Sequence, residues 1–146
     1  MNDIQWDQAS VKAHPPRAYD VTTCVAASWY VAMRSDDLKD KPTELTLFGC
    51  SCVAWRGATG RAVVMDRHCA HFGANLADGR VKDGCIQCPF HHWRYDEQGQ
   101  CVHIPGHSHA VHQLEPVPRS VRQPTLVTVE RYGYVWVWYG SPKPLH

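Results

Sequence analysis

Apolar and polar positions along the chain alternate in short runs and do not recur at helical spacing. Residues 28–33, 44–48, 51–55 and 62–66 each read as a strand rich in β-branched or aromatic side chains. The last two flank a turn running from Gly57 to Gly60 and resemble a hairpin. Toward the far end, residues 125–130 and 134–139 flank Arg131-Tyr132-Gly133, a second hairpin whose later strand reads Tyr-Val-Trp-Val-Trp-Tyr. No window sustains a helical apolar period and no repeat is visible, so the pattern predicts a mainly β domain, a sandwich or small barrel. Between the flanks, over residues 67–100, the alternation lapses and Cys, His, Gly and aromatic residues concentrate. A loop-rich insertion of that length needs something to organise it, and a bound metal would do so.

Composition narrows the picture. At 146 residues the chain is one ordinary domain, expected as an N-terminal arm (1–26), the domain proper (27–140) and a short tail (141–146). Fifteen Lys and Arg against 14 Asp and Glu leave +1 with no block of like charge, which disfavours nucleic acid and anionic lipid as partners. The longest apolar stretch, 25–33, is interrupted by Ser28 and too short to span a membrane, and the N-terminus lacks a signal-peptide core. The expectation is a cytoplasmic chain. The anomaly is 7 Cys and 10 His. An odd cysteine count without an export signal argues for thiolate ligands over a disulfide framework.

Two clusters stand out, Cys69-Ala70-His71 and Cys88-Pro89-Phe90-His91, in the pattern C-x-H-x16-C-x2-H. Each supplies one thiolate and one imidazole, which suits a [2Fe-2S] centre in which two His replace two Cys on one iron. Cys69 and Cys88 would hold one iron, His71 and His91 the other. A tetrahedral Cys2His2 zinc site uses the same ligand types, and Cys85-x2-Cys88 offers a competing pair. A zinc finger, however, pairs Cys with Cys and His with His in sequence, whereas each half here mixes them.

The segment from Asp66-Arg67-His68-Cys69-Ala70-His71-Phe72-Gly73 through Cys88-Pro89-Phe90-His91-His92-Trp93 resembles the two cluster-binding loops of Rieske iron–sulfur proteins. Ser28-Trp29-Tyr30-Val31, Leu47-Phe48-Gly49 and Tyr132-Gly133-Tyr134-Val135-Trp136-Val137-Trp138 extend the resemblance to the Rieske domain of non-haem iron oxygenases. That resemblance implies an antiparallel β-sandwich or barrel with the cluster held by two loops at one tip and the imidazoles at the surface. It implies a domain that takes single electrons from a reductase or ferredoxin and passes them to a non-haem iron catalytic domain, in an assembly that can be oligomeric. A self-standing Rieske ferredoxin is the alternative, and a zinc-stabilised interaction module a more distant one. Respiratory Rieske proteins carry a cysteine pair between the loops and a serine near the second; here those positions hold Ala74, Phe90 and Trp93, which implies a low potential. His92 stands where the family usually has Gly.

Other groups carry weaker signals. His68 and His92 adjoin the ligands and read as solvent-facing or supporting side chains. Cys24, Cys50, Cys52 and Cys101 lie in or beside strand-like runs and read as small core hydrophobes, with Cys85 open. Phe72, Phe90 and Trp93 are expected to be buried around the cluster. His107, His109, His112 and Glu115 have the composition of a mononuclear iron site, yet Pro105-Gly106 and Pro116-Val117-Pro118 bound them as a loop. No mononuclear iron site is recognised, and whether the chain is itself an enzyme stays open.

Overall fold

The unbroken apolar stretches 52–55 and 62–65 are buried on both faces of their strands, and this sets the architecture. The computed structural model describes residues 26–106 and 117–140. In chain order the strands are β1 (Ser28–Arg34), β2 (Thr43–Leu47), β3 (Cys50–Arg56), β4 (Ala62–Asp66), β5 (Arg80–Lys82), β6 (Cys85–Gln87), β7 (Arg94–Tyr95), β8 (Cys101–His103), β9 (Thr125–Leu126), β10 (Thr128–Arg131) and β11 (Tyr134–Tyr139). They form three antiparallel sheets of order β1-β11-β10, β2-β3-β4-β9 and β5-β6-β7-β8.

The β3–β4 hairpin is shared by two cores. Val53, Trp55, Val63 and Met65 pack toward Leu76, Ile86, Tyr95, Cys69, Cys88 and Cys101. Cys52, Ala54, Ala62 and Val64 point the other way, toward Leu38, Val135 and Val137 of the β1-β11-β10 side. Alternation of side chains across a strand makes this division automatic. Burying both faces also explains why these strands read as continuous hydrophobic runs, while β2 alternates between half-buried and exposed residues.

The expected hairpins are present, with β3 pairing β4 and β10 pairing β11. Two details differ from the sequence reading. The run 125–130 is split at Val127, so that β9 joins β4 in the middle sheet while β10 joins β11 in the outer one. The segment 67–100 is more regular than a loop-rich insertion, because β5 to β8 form a sheet of their own beneath the two candidate loops. Among the described residues no helix is long and apolar enough to cross a membrane. Most of the N-terminal arm, Cys24, the His107–Glu115 group and the tail lie outside the described residues.

Candidate metal centre

The first loop leaves β4 and returns at Leu76; it is closed by Cys69 N–H donating to Ala74 O (2.9 Å), Gly73 N–H to Cys69 O (2.8 Å) and Leu76 N–H to Arg67 O (2.8 Å). Gly73, at φ 74°, makes the tight turn that brings the chain back. Asn75 then accepts from Ala77 N–H at 3.0 Å and caps a short 3-10 turn. The second loop joins β6 to β7 and is closed by Cys88 N–H donating to Trp93 O at 2.8 Å. His92 lies in this loop at φ 61°. A left-handed backbone there accounts for the family's usual glycine, and the histidine holds it with its ring Nδ1 3.1 Å from Gln87 Nε2.

The loops bring the four candidate ligands together as two pairs. The Cys69 and Cys88 thiols are buried, at 3% and 2% exposure, in the same core cluster. The His71 and His91 rings sit on the outer side with centroids 4.8 Å apart; His91 is exposed and His71 half-buried. Two thiols inside and two imidazoles outside is the donor set of a [2Fe-2S] cluster with mixed ligation. His71 Nδ1 is buried without a hydrogen-bond partner, a lone pair that a metal would satisfy. The residues present therefore fit the group.

Electrostatics around the thiols follow from burial. Desolvation pushes the Cys69 thiol up, opposed by hydrogen bonds with the Tyr95 hydroxyl and the His71 amide. A metal held there would supply the positive charge that favours the thiolate. Burial raises Cys52 to about 12 and Cys101 to about 11, so both stay protonated and pack as hydrophobes. Cys85 is half-buried, with its thiol likewise raised chiefly by desolvation.

Surroundings of the imidazoles correct one expectation. Phe72 and Phe90 are 71% and 62% exposed, not buried, and rest against His71 (4.2 Å between centroids) and His91 (3.8 Å). Two apolar rings beside the outermost ligands form a rim of the kind that a partner covers. Trp93 is half-buried and stacks on His71 at 4.0 Å and 11°. His68 is bound to Asp66, its Nδ1 3.1 Å from the carboxylate. Two residues with evident roles escaped the sequence reading. Tyr95 lies with its hydroxyl 3.2 Å from Cys69 Sγ, and Gln123, from a distant segment, bonds to the backbone of the first loop. A tyrosine two residues beyond Trp93 was an available signal; nothing in the sequence marked Gln123.

Comparison with known proteins agrees with this geometry. The Rieske [2Fe-2S] domain family matches residues 28–127. Aminopyrrolnitrin oxygenase PrnD of Pseudomonas fluorescens is 85% identical over the whole of this chain, which spans 40% of that protein's length. A 3-ketosteroid-9-alpha-monooxygenase oxygenase component of Rhodococcus rhodochrous is 33% identical over 82% of the chain and 30% of its own length. The crystal structure of dicamba monooxygenase with non-heme iron and dicamba superposes with TM-score 0.72 at 33% identity, covering 82% of this chain and 35% of that one. With these matches falling on the loops, sheets and donors described above, the chain belongs to the Rieske [2Fe-2S] domain family, in its oxygenase branch.

Proposed function

We propose that Cys69 and Cys88 hold one iron of the cluster, that His71 and His91 hold the other, and that the domain relays single electrons from a reductase or ferredoxin to a non-haem iron centre. The observation that supports this most directly is the separation of the donors into a buried thiol pair and an outward imidazole pair. When bound, the cluster supplies one-electron redox chemistry. The chain's own residues do the rest. The buried thiols lie under the hydrophobic core of Trp55, Leu76, Ile86 and Tyr95, which excludes water from the inner side. The Tyr95 hydroxyl, whose pKa is pushed up chiefly by burial, keeps its proton and donates to the Cys69 thiolate. His91, exposed between Phe72 and Phe90, offers the edge at which electrons enter and leave.

The whole protein is proposed to be the oxygenase component of a multi-component system, acting on aminopyrrolnitrin as the name of its 85% identical relative states. A cytoplasmic location and the domain limits 27–140 belong to the same proposal. The ligand assignment is tested by electron paramagnetic resonance of the reduced protein. His71→Ala and His91→Ala are expected to abolish the Rieske signal and His68→Ala and His92→Ala to keep it; a His71→Ala protein with the wild-type signal would sink the assignment. The substrate is checked by supplying the full-length protein with reductase, NADH and aminopyrrolnitrin, product being the expected outcome.

A further inference from the structure

Gln123 and Gln87 are the buried polar side chains among the described residues, at 2% and 4% exposure, and the two are used differently. Gln87 contacts His92 through its nitrogen, while its Oε1 has no hydrogen-bond partner. Gln123 spends its whole carboxamide on the first loop. Its Nε2 donates to Asp66 O at 2.8 Å and to His68 O at 2.7 Å, and its Oε1 accepts from Ala70 N–H at 2.9 Å. Only this orientation pairs both carbonyls with N–H groups and the amide with an oxygen. The three peptide groups bracket Cys69 on both sides. Meanwhile the backbone of the same segment is tied to the β7–β8 hairpin, whose first strand leaves the second loop. Gln123 N–H donates to Gly99 O at 2.7 Å, and Cys101 N–H to Val121 O at 3.0 Å. A Cβ on Gly99 would stand 2.1 Å from Gln123 O, so the approach is as close as glycine permits.

We propose that Gln123 is the positioning residue of the cluster site, locking the peptide units around Cys69 to the β7–β8 hairpin and so fixing the first loop relative to the second. The inference rests on the ligand assignment proposed above and deepens it. His71 directly follows the anchored Ala70, so a shift of the loop moves both candidate ligands that it carries. Removing the carboxamide takes away the bonds it makes to the Asp66 and His68 carbonyls and the Ala70 amide and frees the loop to shift. The surroundings of the Cys69 sulfur then change, and the potential with them.

The test uses the cluster-loaded full chain. Gln123→Met keeps the length of the side chain and removes all three bonds. It is expected to shift the midpoint potential, alter the g values or line widths of the Rieske signal, and speed loss of the cluster to a chelator by about 10-fold or more. Val64→Ala, in the opposite core, is the control, expected to lower Tm while leaving spectrum, potential and release rate at wild-type values. A Gln123→Met protein that behaves like Val64→Ala overturns the proposal. Should Gln123→Met not fold, the wild type still decides, because Ala70 is an exposed loop residue whose amide is protected from hydrogen exchange only by Gln123. Slow exchange there, with the Rieske signal present, supports the proposal; exchange at the unprotected rate overturns it. A loaded wild type without the Rieske signal overturns the ligand assignment as well, which separates the two failures.

Discussion

At Cys69 the sulfur lies 3.2 Å from the Tyr95 hydroxyl, within hydrogen-bond reach. A hydroxyl donating there stabilises electron-rich sulfur and raises the potential. The low potential implied by the resemblance rests on Trp93 standing where respiratory Rieske proteins place serine and on Ala74 and Phe90 standing where they place a cysteine pair. A hydroxyl is nonetheless supplied from position 95 and partly offsets that loss. A bond stronger by about 1.4 kcal/mol in the reduced state corresponds to about 59 mV for a one-electron couple. Tyr95→Phe is therefore expected to lower the midpoint by an amount of that order while keeping the Rieske signal, as read by redox titration; an unchanged midpoint would show that the hydroxyl has no part in setting it. The four candidate ligands were legible because their spacing within each loop is local. Tyr95 was not, because its contact with Cys69 depends on β7 passing beneath the first loop, which only the folded sheet arranges.

Hairpins carry the element scale, and three of them turn through a residue pair with both φ values positive: Phe48-Gly49, Asp83-Gly84 and Tyr132-Gly133. Such turns match the right-handed twist of the flanking strands and favour Asn or Asp followed by Gly. Tyr132, at φ 56° and 86% exposed, is the costly choice, since a bulky residue in the left-handed region is strained by about 1 kcal/mol or more. Tyr132→Asn is expected to raise stability by about 1 kcal/mol, seen as a higher denaturant midpoint at unchanged m-value; a lower midpoint would mean that the ring makes a stabilising contact. Asp83-Gly84 was a hairpin signal present in the sequence and passed over, because β5 and β6 have only three residues each, too few to show a period. The split of residues 125–130 left no such mark. Its two halves have similar composition, and which sheet each joins is decided by the strand that offers hydrogen bonds beside it.

Across the whole molecule, the middle and outer sheets are tied by Arg56. Its guanidinium donates to Ser35 O (2.9 Å), Leu38 O (3.3 Å), Gly60 O (3.1 Å) and the Glu130 carboxylate (2.7 Å). The bond from Arg56 holds the Glu130 carboxyl below its usual range. A carboxylate depressed by folding adds stability that is present above its unfolded pKa, about 4.3, and is lost as pH falls through the lower folded value. Glu130→Gln is accordingly expected to cost about 0.5–1 kcal/mol at neutral pH, with the gap from wild type closing as the medium is acidified below pH 4. Thermal melts of both proteins across that range check it, and a gap that persists in acid would assign the loss to packing. Strand runs, the mainly β class and the two candidate ligand loops were written in local order, since strand alternation and metal-ligand spacing operate over a few residues. The three-layer stacking, the exposed Phe72 and Phe90 rim, the Arg56 tie and the Gln123 clamp came only from tertiary structure. These depend on bonds and burial between residues tens of positions apart, such as Gln123 and His68, and separation of that kind imposes no spacing that a sequence can display.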